Sequence, residues 1–329
     1  MDIVMGKTVK ILSLDGGGIR GIIPAIVLAE IESHTGKPIS EIFDLVAGTS
    51  TGGILALGLA KPNKSGRPAF SASDLLRLYE EDGEDVFTRS FWRRLYTVEN
   101  FLEERYLSSG IERVLQEYFG NSRLKDSLTN VLVTAYEIER RTSFFFKSRH
   151  AKEMDTHDFL MWQVARATSA APTYFEPFKI EIDTHAHYYS LIDGGVFANN
   201  PAMCAYVEAK MMYPDADDFI LVSIGTGELV QRLPHDEADS WGLAQWARPL
   251  LGVVFDGVSD TVDYQLQKLL PLNEKGRCYY RFQARLDNGG DKMDDVSPRN
   301  IRFLHLLAED LVKDNRLALE ELCRKLIEK

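Results

Sequence analysis

The sequence predicts an α/β fold with a largely parallel central sheet and outer helices. Two strand–turn–helix units near the start carry that prediction, and later apolar strands ending in glycine turns extend it. In the first unit, Val9 to Leu14 alternates apolar and polar residues and ends at Asp15-Gly16-Gly17-Gly18. A strand entering a tight loop has this form. Ile22 to His34 follows as a helix: Pro24 suits a first turn, Ile23, Ile26, Val27, Glu30 and Ile31 keep helical spacing, and Gly36 with Pro38 stops it. The second unit is a short strand from Phe43 to Ala47, broken at Gly48, then a Gly-, Ala- and Leu-rich helix from Thr51 to Ala60.

After a loop from Lys61 to Pro68, residues 74–119 are charged and amphipathic, as helices packed outside a sheet are. Val131 to Ile138 and Thr142 to Lys147 read as a strand pair bent at Glu139-Arg140-Arg141. Phe159 to Ala170 reads as a helix ending at Ala171-Pro172. Tyr188 to Ile192 and Phe219 to Ile224 are further strands, residues 228–240 are loop, and Pro298 to Lys329 is a helical tail. With no internal repeat and no low-complexity linker, one domain spanning 1–329 is expected.

Composition narrows the function. At 329 residues with 45% hydrophobic content, the chain can bury a sizeable core. A net charge of −11 and a pI near 5.2 argue against a nucleic-acid partner. They also give no broad attraction to anionic lipid. Cys204, Cys278 and Cys323 form neither a metal spacing nor a disulfide framework, which fits a reducing compartment. No stretch approaches the roughly 18 apolar residues of a membrane span. Asp2 stands where a signal peptide carries positive charge. A cytoplasmic chain that meets membranes only peripherally is expected.

Three segments could carry chemistry. Gly48-Thr49-Ser50-Thr51-Gly52 is a G-x-S-x-G between strand and helix. A nucleophilic serine must project from a strained turn that tolerates only small neighbours, such as Gly48 and Gly52. At a helix N-terminus it also meets unpaired N–H groups. The second segment is Asp15-Gly16-Gly17-Gly18-Ile19-Arg20-Gly21, whose backbone amides could approach an oxyanion, with Arg20 adding charge or pinning the loop. The dinucleotide G-x-G-x-x-G pattern fits only by choosing among four glycines, and Gly6-Lys7-Thr8 fails as a P-loop. The third is Asp193-Gly194-Gly195 after a strand, where a carboxylate could accept a serine proton.

Taken together, D-G-G-G-I-R-G at 15–21, G-T-S-T-G-G at 48–53 and D-G-G-V-F-A-N-N-P at 193–201 resemble the patatin-like phospholipases in order and spacing. Ala167 to Phe175 and Ser223-Ile224-Gly225-Thr226-Gly227 look like the same family, so the resemblance covers about residues 8–300. It implies a three-layer α/β/α core and a Ser–Asp dyad hydrolysing acyl esters of lipids, with phospholipase A-type cleavage of glycerophospholipids expected. Ser50 matches the family nucleophile, Asp193 the dyad base, and Gly16, Gly17, Gly18 and Arg20 the oxyanion segment. The implied route is an acyl-enzyme, with no cofactor and no metal. Some bacterial relatives are phospholipase effectors switched on by a cyclic nucleotide in anti-phage defence, which leaves a cyclic-nucleotide activator open. The competing reading is a non-catalytic lipid- or nucleotide-binding module on the same scaffold.

Other features weigh less. Of seven histidines only His235 and His305 follow Asp193, and neither sits in a glycine-flanked strand-end turn, so a Ser–His–Asp triad is disfavoured. His185-Ala186-His187 near Asp183 could bind metal on a strand, although an exposed polar turn is the simpler reading. Trp241, Leu243, Trp246, Leu250, Leu251, Val254 and Phe255 form an apolar helical stripe, expected to pack on the core rather than to act as a lid or lipid-facing surface. Phe87, Phe91, Trp92 and Tyr96, interleaved with Arg89, Arg93 and Arg94, could touch lipid headgroups.

Overall fold

The computed structural model describes residues 7–83, 86, 108–172, 174–182, 187–229, 233–273, 276–286 and 292–328. The cationic–aromatic stretch from Phe87 to Tyr96, and His185 with Asp183, lie outside them.

In chain order the strands are β1 (Thr8–Leu14), β2 (Leu45–Thr49), β3 (Asn130–Glu137), β4 (Thr142–Lys147), β5 (Phe178–Glu181), β6 (Tyr188–Asp193), β7 (Asp218–Ile224), β8 (Glu228–Leu229), β9 (Tyr279–Phe282) and β10 (Arg285–Leu286). The α-helices are α1 (Ile22–Thr35), α2 (Ile39–Ile42), α3 (Thr51–Ala60), α4 (Ala72–Glu80), α5 (Ser108–Phe119), α6 (Ser148–Glu153), α7 (Met161–Thr168), α8 (Gly195–Ala198), α9 (Ala202–Met212), α10 (His235–Ala238), α11 (Leu243–Leu269), α12 (Pro298–Asp314) and α13 (Arg316–Ile327).

The main sheet runs β5-β6-β3-β2-β1-β7-β9, with β4 also paired to β3. Pairing is parallel from β9 to β3 and antiparallel where β3 meets β4 and β6 and where β6 meets β5. Alternation along the strands divides the core. Leu12, Leu14, Val46, Val131, Val133, Val222 and Ile224 face one cluster; Val9, Ile11, Leu45, Ala47, Leu132 and Leu221 face the other. Helices α1, α3, α4, α12 and α13 contribute to the first cluster, α9 and α11 to the second. The architecture is the expected three-layer α/β/α with a largely parallel sheet.

Several boundaries move. The second strand starts two residues late, because Phe43 closes α2 and the Asp44 carboxylate accepts the Lys10 amide at 2.8 Å. It runs on to Thr49 because its ladder with β3 continues to Thr134. The segment 228–240 is not all loop: Glu228–Leu229 pairs with Arg285–Leu286, and His235–Ala238 forms a short helix. The tail is two helices that meet at Asn315.

The core-packed reading of the Trp241–Phe255 stripe is corrected. Trp246, Leu250, Val253 and Val254 are exposed, while Phe255 and Ser259 face inward and Leu266 is buried. A helix apolar on more than one side does not reveal from spacing which side the sheet will cover.

Candidate active site

Strand register brings the site together. Along one edge of β3, β2 pairs in parallel up to Thr49 opposite Thr134, and antiparallel β6 takes over at Asp193 opposite Ala135. Two strands running in opposite directions therefore end at the same point. One end delivers Ser50 and the other Asp193.

Ser50 is the N-cap of α3, with φ 54° and ψ −123°, a conformation disfavoured for any residue with a Cβ. Its flanking glycines are steric requirements. A Cβ on Gly48 would lie 2.1 Å from the Gly52 carbonyl oxygen, and one on Gly52 would lie 2.2 Å from that of Leu14. The Ser50 amide donates to Thr168 Oγ1 (2.9 Å), and that hydroxyl donates to the Thr134 carbonyl (2.7 Å). The turn is thus held from α7 and β3.

Asp193 is buried, and its Oδ1 accepts the Gly195 amide at 2.7 Å. Its backbone amide donates to the Ala170 carbonyl at 3.0 Å. Burial pushes its pKa up from 3.8 to about 7, opposed by hydrogen bonds from the Ser50 side chain and the Gly195 amide. Asp193 therefore holds its proton far more tightly than a solvated aspartate and titrates close to neutrality. A buried carboxyl in contact with a serine hydroxyl, with this pKa, can take the hydroxyl proton near neutral pH.

The glycine loop packs against the elbow. A Cβ on Gly16 would sit 3.2 Å from Ser50 Cβ, and one on Gly17 would sit 2.3 Å from Thr226 Oγ1. Gly18 has φ +59°, where its lack of a side chain matters. The Gly16 amide is committed to the Asn199 carbonyl at 3.0 Å, unlike its expected place among oxyanion donors. The amides of Gly17 and Gly18 make no intramolecular hydrogen bond among the described residues. The Gly16, Ile19 and Arg20 amides being bonded, these two are left without a backbone partner among the described residues. Arg20 is buried and its Nε donates to the Gly17 carbonyl at 3.3 Å, so it braces the loop.

Sequence reading missed the supports behind these loops. Asp15 is buried against Arg281 of β9 at 2.6 Å, and Arg281 also donates to Ser223 (2.8 Å) and to Ser259 of α11 (3.3 Å). Burial raises the Asp15 pKa, with Arg281 opposing. Thr226 Oγ1 donates to the Gly16 carbonyl at 2.6 Å. The motif stretches 167–175 and 223–227 held signals for Thr168, Ser223 and Thr226. Arg281, on a four-residue strand, had none. Four of the histidines have partners away from the site: His305 with Glu80 at 2.7 Å, His34 with Glu30 at 3.2 Å, and His150 against His157. Among the described residues there is no cluster of three or more His, Cys, Asp or Glu fit for a metal ion.

A strained serine at a helix start, in contact with a buried carboxyl and open amides, has the form of a serine-hydrolase site on an α/β sheet. Known proteins narrow that class. The patatin-like phospholipase profile matches residues 12–206. Patatin-like protein 4 of Arabidopsis thaliana is 32% identical over 94% of this chain and 84% of its own. A protein of Solanum tuberosum named probable inactive patatin-3-Kuras 1 is 29% identical over 94% and 87%. The crystal structure of VipD from Legionella pneumophila aligns with a TM-score of 0.46 at 13% identity, over 93% of this chain and 67% of that one. The chain belongs to the patatin-like phospholipase family, which at family level makes it a lipid ester hydrolase.

Proposed function

We propose that this chain, acting as one domain, is a phospholipase A-type acyl hydrolase that cleaves glycerophospholipid acyl esters through a Ser50–Asp193 dyad. The observation that carries this reading is the meeting of two opposed strand ends, which sets the Ser50 hydroxyl against a buried carboxyl titrating near pH 7. Ionised Asp193 takes the Ser50 proton as Oγ bonds to the ester carbon. The Gly17 and Gly18 amides, with the first-turn amides of α3, receive the oxyanion. Collapse of that intermediate breaks the ester C–O bond, and Asp193 returns its proton to the departing lyso-lipid oxygen. Water then adds to the acyl-enzyme with Asp193 again as base, releasing the fatty acid and restoring the hydroxyl.

A fluorophosphonate tests the nucleophile. Stoichiometric labelling at Ser50, with fatty-acid release from mixed phospholipids, is the expected result. Intact binding of lipid without labelling or release would favour a non-catalytic module instead.

The reaction takes place at a membrane surface reached from the cytoplasm. No helix among the described residues is long and apolar enough to cross a bilayer. Helix α11 supplies a surface contact. Its inner side lines the crevice beside the glycine loop through Gly252, Phe255, Asp256 and Ser259, while Trp246, Leu250, Val253 and Val254 stay exposed on the outside. With a net charge of −11, insertion of apolar side chains is a better anchor than charge. Leu250→Ser with Val253→Ser is expected to lower the ratio of vesicle to soluble-ester hydrolysis about tenfold. Equal losses on both substrates would remove α11 from this role.

A further inference from the structure

The crevice between α11 and the glycine loop lies beside the dyad, and the catalytic chemistry above makes no use of it. A cavity of about 100 Å³ lies at the carboxyl ends of β1, β7 and β9, where Asp15, Thr226 and Gln283 follow those strands. Crevices at parallel strand ends are where α/β sheets take ligands. Helix α11 closes one wall with Phe255, Asp256, Ser259 and Asp260. Asn199 connects this cavity to the nucleophile. It lines the cavity, and its Oδ1 lies 2.5 Å from where a Gly16 Cβ would stand, itself 3.2 Å from Ser50 Cβ.

The lining is charged and unbalanced. Asp15, Glu228, Asp256 and Asp260 face it, and among the described lining residues Arg20 is the one cation. Asp15 commits Oδ2 to Arg281, yet Oδ1, on a residue 1% exposed, has no partner among the described residues. Glu228 has Arg285 at 3.9 Å. The Asp256 carboxyl is pushed up by burial, with Arg20 opposing and Asp260 and Glu228 adding to the rise. The unpartnered Asp15 oxygen, and Asp256 with Asp260 and Glu228 near it, leave an unmet demand for positive charge along this wall. A bare metal ion does not match, because no three of these carboxylates gather into a metal-holding cluster among the described residues. An ammonium group needs no fixed coordination number, and the Phe255 ring on the wall suits an organic cation.

We infer that this cavity receives the ammonium end of a zwitterionic phospholipid headgroup, with Asp15, Asp256 and Asp260 facing the cation and Arg20 facing the phosphate. The inference rests on the phospholipase reading of the site and extends it to a substrate class: choline and ethanolamine lipids over those with an anionic glycerol headgroup.

Two measurements test it. Turnover of acyl-matched phosphatidylcholine and phosphatidylglycerol in neutral mixed micelles should favour the choline lipid about tenfold in kcat/KM. In Asp256→Asn with Asp260→Asn that ratio should fall to near one. Separately, phosphocholine titrated calorimetrically into the Ser50→Ala protein should bind more tightly than glycerol 3-phosphate, and the two asparagines should erase the difference. The second arm reads the cavity without turnover, so a failure of the Ser50 chemistry and a failure of headgroup recognition give different patterns. Equal turnover of both lipids together with equal binding of both headgroups would overturn the inference. A preference that appears only with added calcium and vanishes with chelator would overturn it in favour of a metal.

Discussion

Alanine at Ser50 should abolish ester hydrolysis, lowering kcat by about 10⁴- to 10⁶-fold, the scale seen when a nucleophile is removed from a preorganised site. The fold should survive, because the Ser50 bond to Thr168 is made by the backbone amide and not by the hydroxyl. Glycine at the same position makes a sharper test. At φ 54° and ψ −123° a side chain costs conformational energy, and glycine relieves about 1 kcal/mol of it. Ser50→Gly should therefore be as inactive as Ser50→Ala yet unfold at a higher temperature. Initial rates on a soluble chromogenic ester and a thermal scan check both parts. Hydrolysis above about 1% of wild type in either variant would mean the nucleophile lies elsewhere.

Local geometry explains why much of this site was legible in the sequence. Gly48, Gly52 and Gly194 are dictated by close approaches to the Gly52 carbonyl, the Leu14 carbonyl and Thr134 Oγ1. Steric demands of that kind leave a mark in residue type at fixed spacing. The alternation of β1 and β7 was likewise visible, because each strand serves two apolar layers. Long-range partners leave no such mark. Arg281 reaches Asp15 across 266 positions, and nothing in the short run from Tyr279 to Phe282 signals a partly buried cation paired with it. The same holds for Gly16: a glycine loop advertises three amides, but only pairing with Asn199 reveals that one of them is already used. Helix α11 failed for a different reason. Its periodicity was right and its orientation was not, since orientation depends on what the sheet and α9 leave uncovered.

The Asp15–Arg281 pair also bears on why the loop is stiff. Removing one member of a buried pair typically costs about 3–5 kcal/mol, because the other is left charged in a dry interior. Here the pair ties the end of β1 to β7 through Ser223 and to α11 through Ser259. The amides of Gly17 and Gly18 thus stand on a frame shared with the helix that carries the exposed apolar stripe.

Asp193→Asn should separate catalysis from stability in opposite directions. Asparagine keeps the shape and can still accept the Gly195 amide, but it cannot take a proton, so kcat/KM should fall by about 10²- to 10⁴-fold. On the proposed dyad, wild-type kcat/KM should rise with pH through about 7 and level off above it, because only the ionised carboxylate could then take the serine proton. For stability the sign follows from the same pKa. The folded protein holds this proton up to about pH 7 and the unfolded chain releases it near 3.8, so stability is undiminished below 3.8 and falls as pH rises to 7. Above pH 7 the buried charge costs about 4 kcal/mol. The variant lacks that cost, so its melting temperature should match wild type near pH 4, pull ahead between pH 4 and 7, and keep a constant lead beyond. A lead that does not change with pH would show that the Asp193 carboxyl titrates normally, already ionised well below neutrality and a much weaker base than proposed.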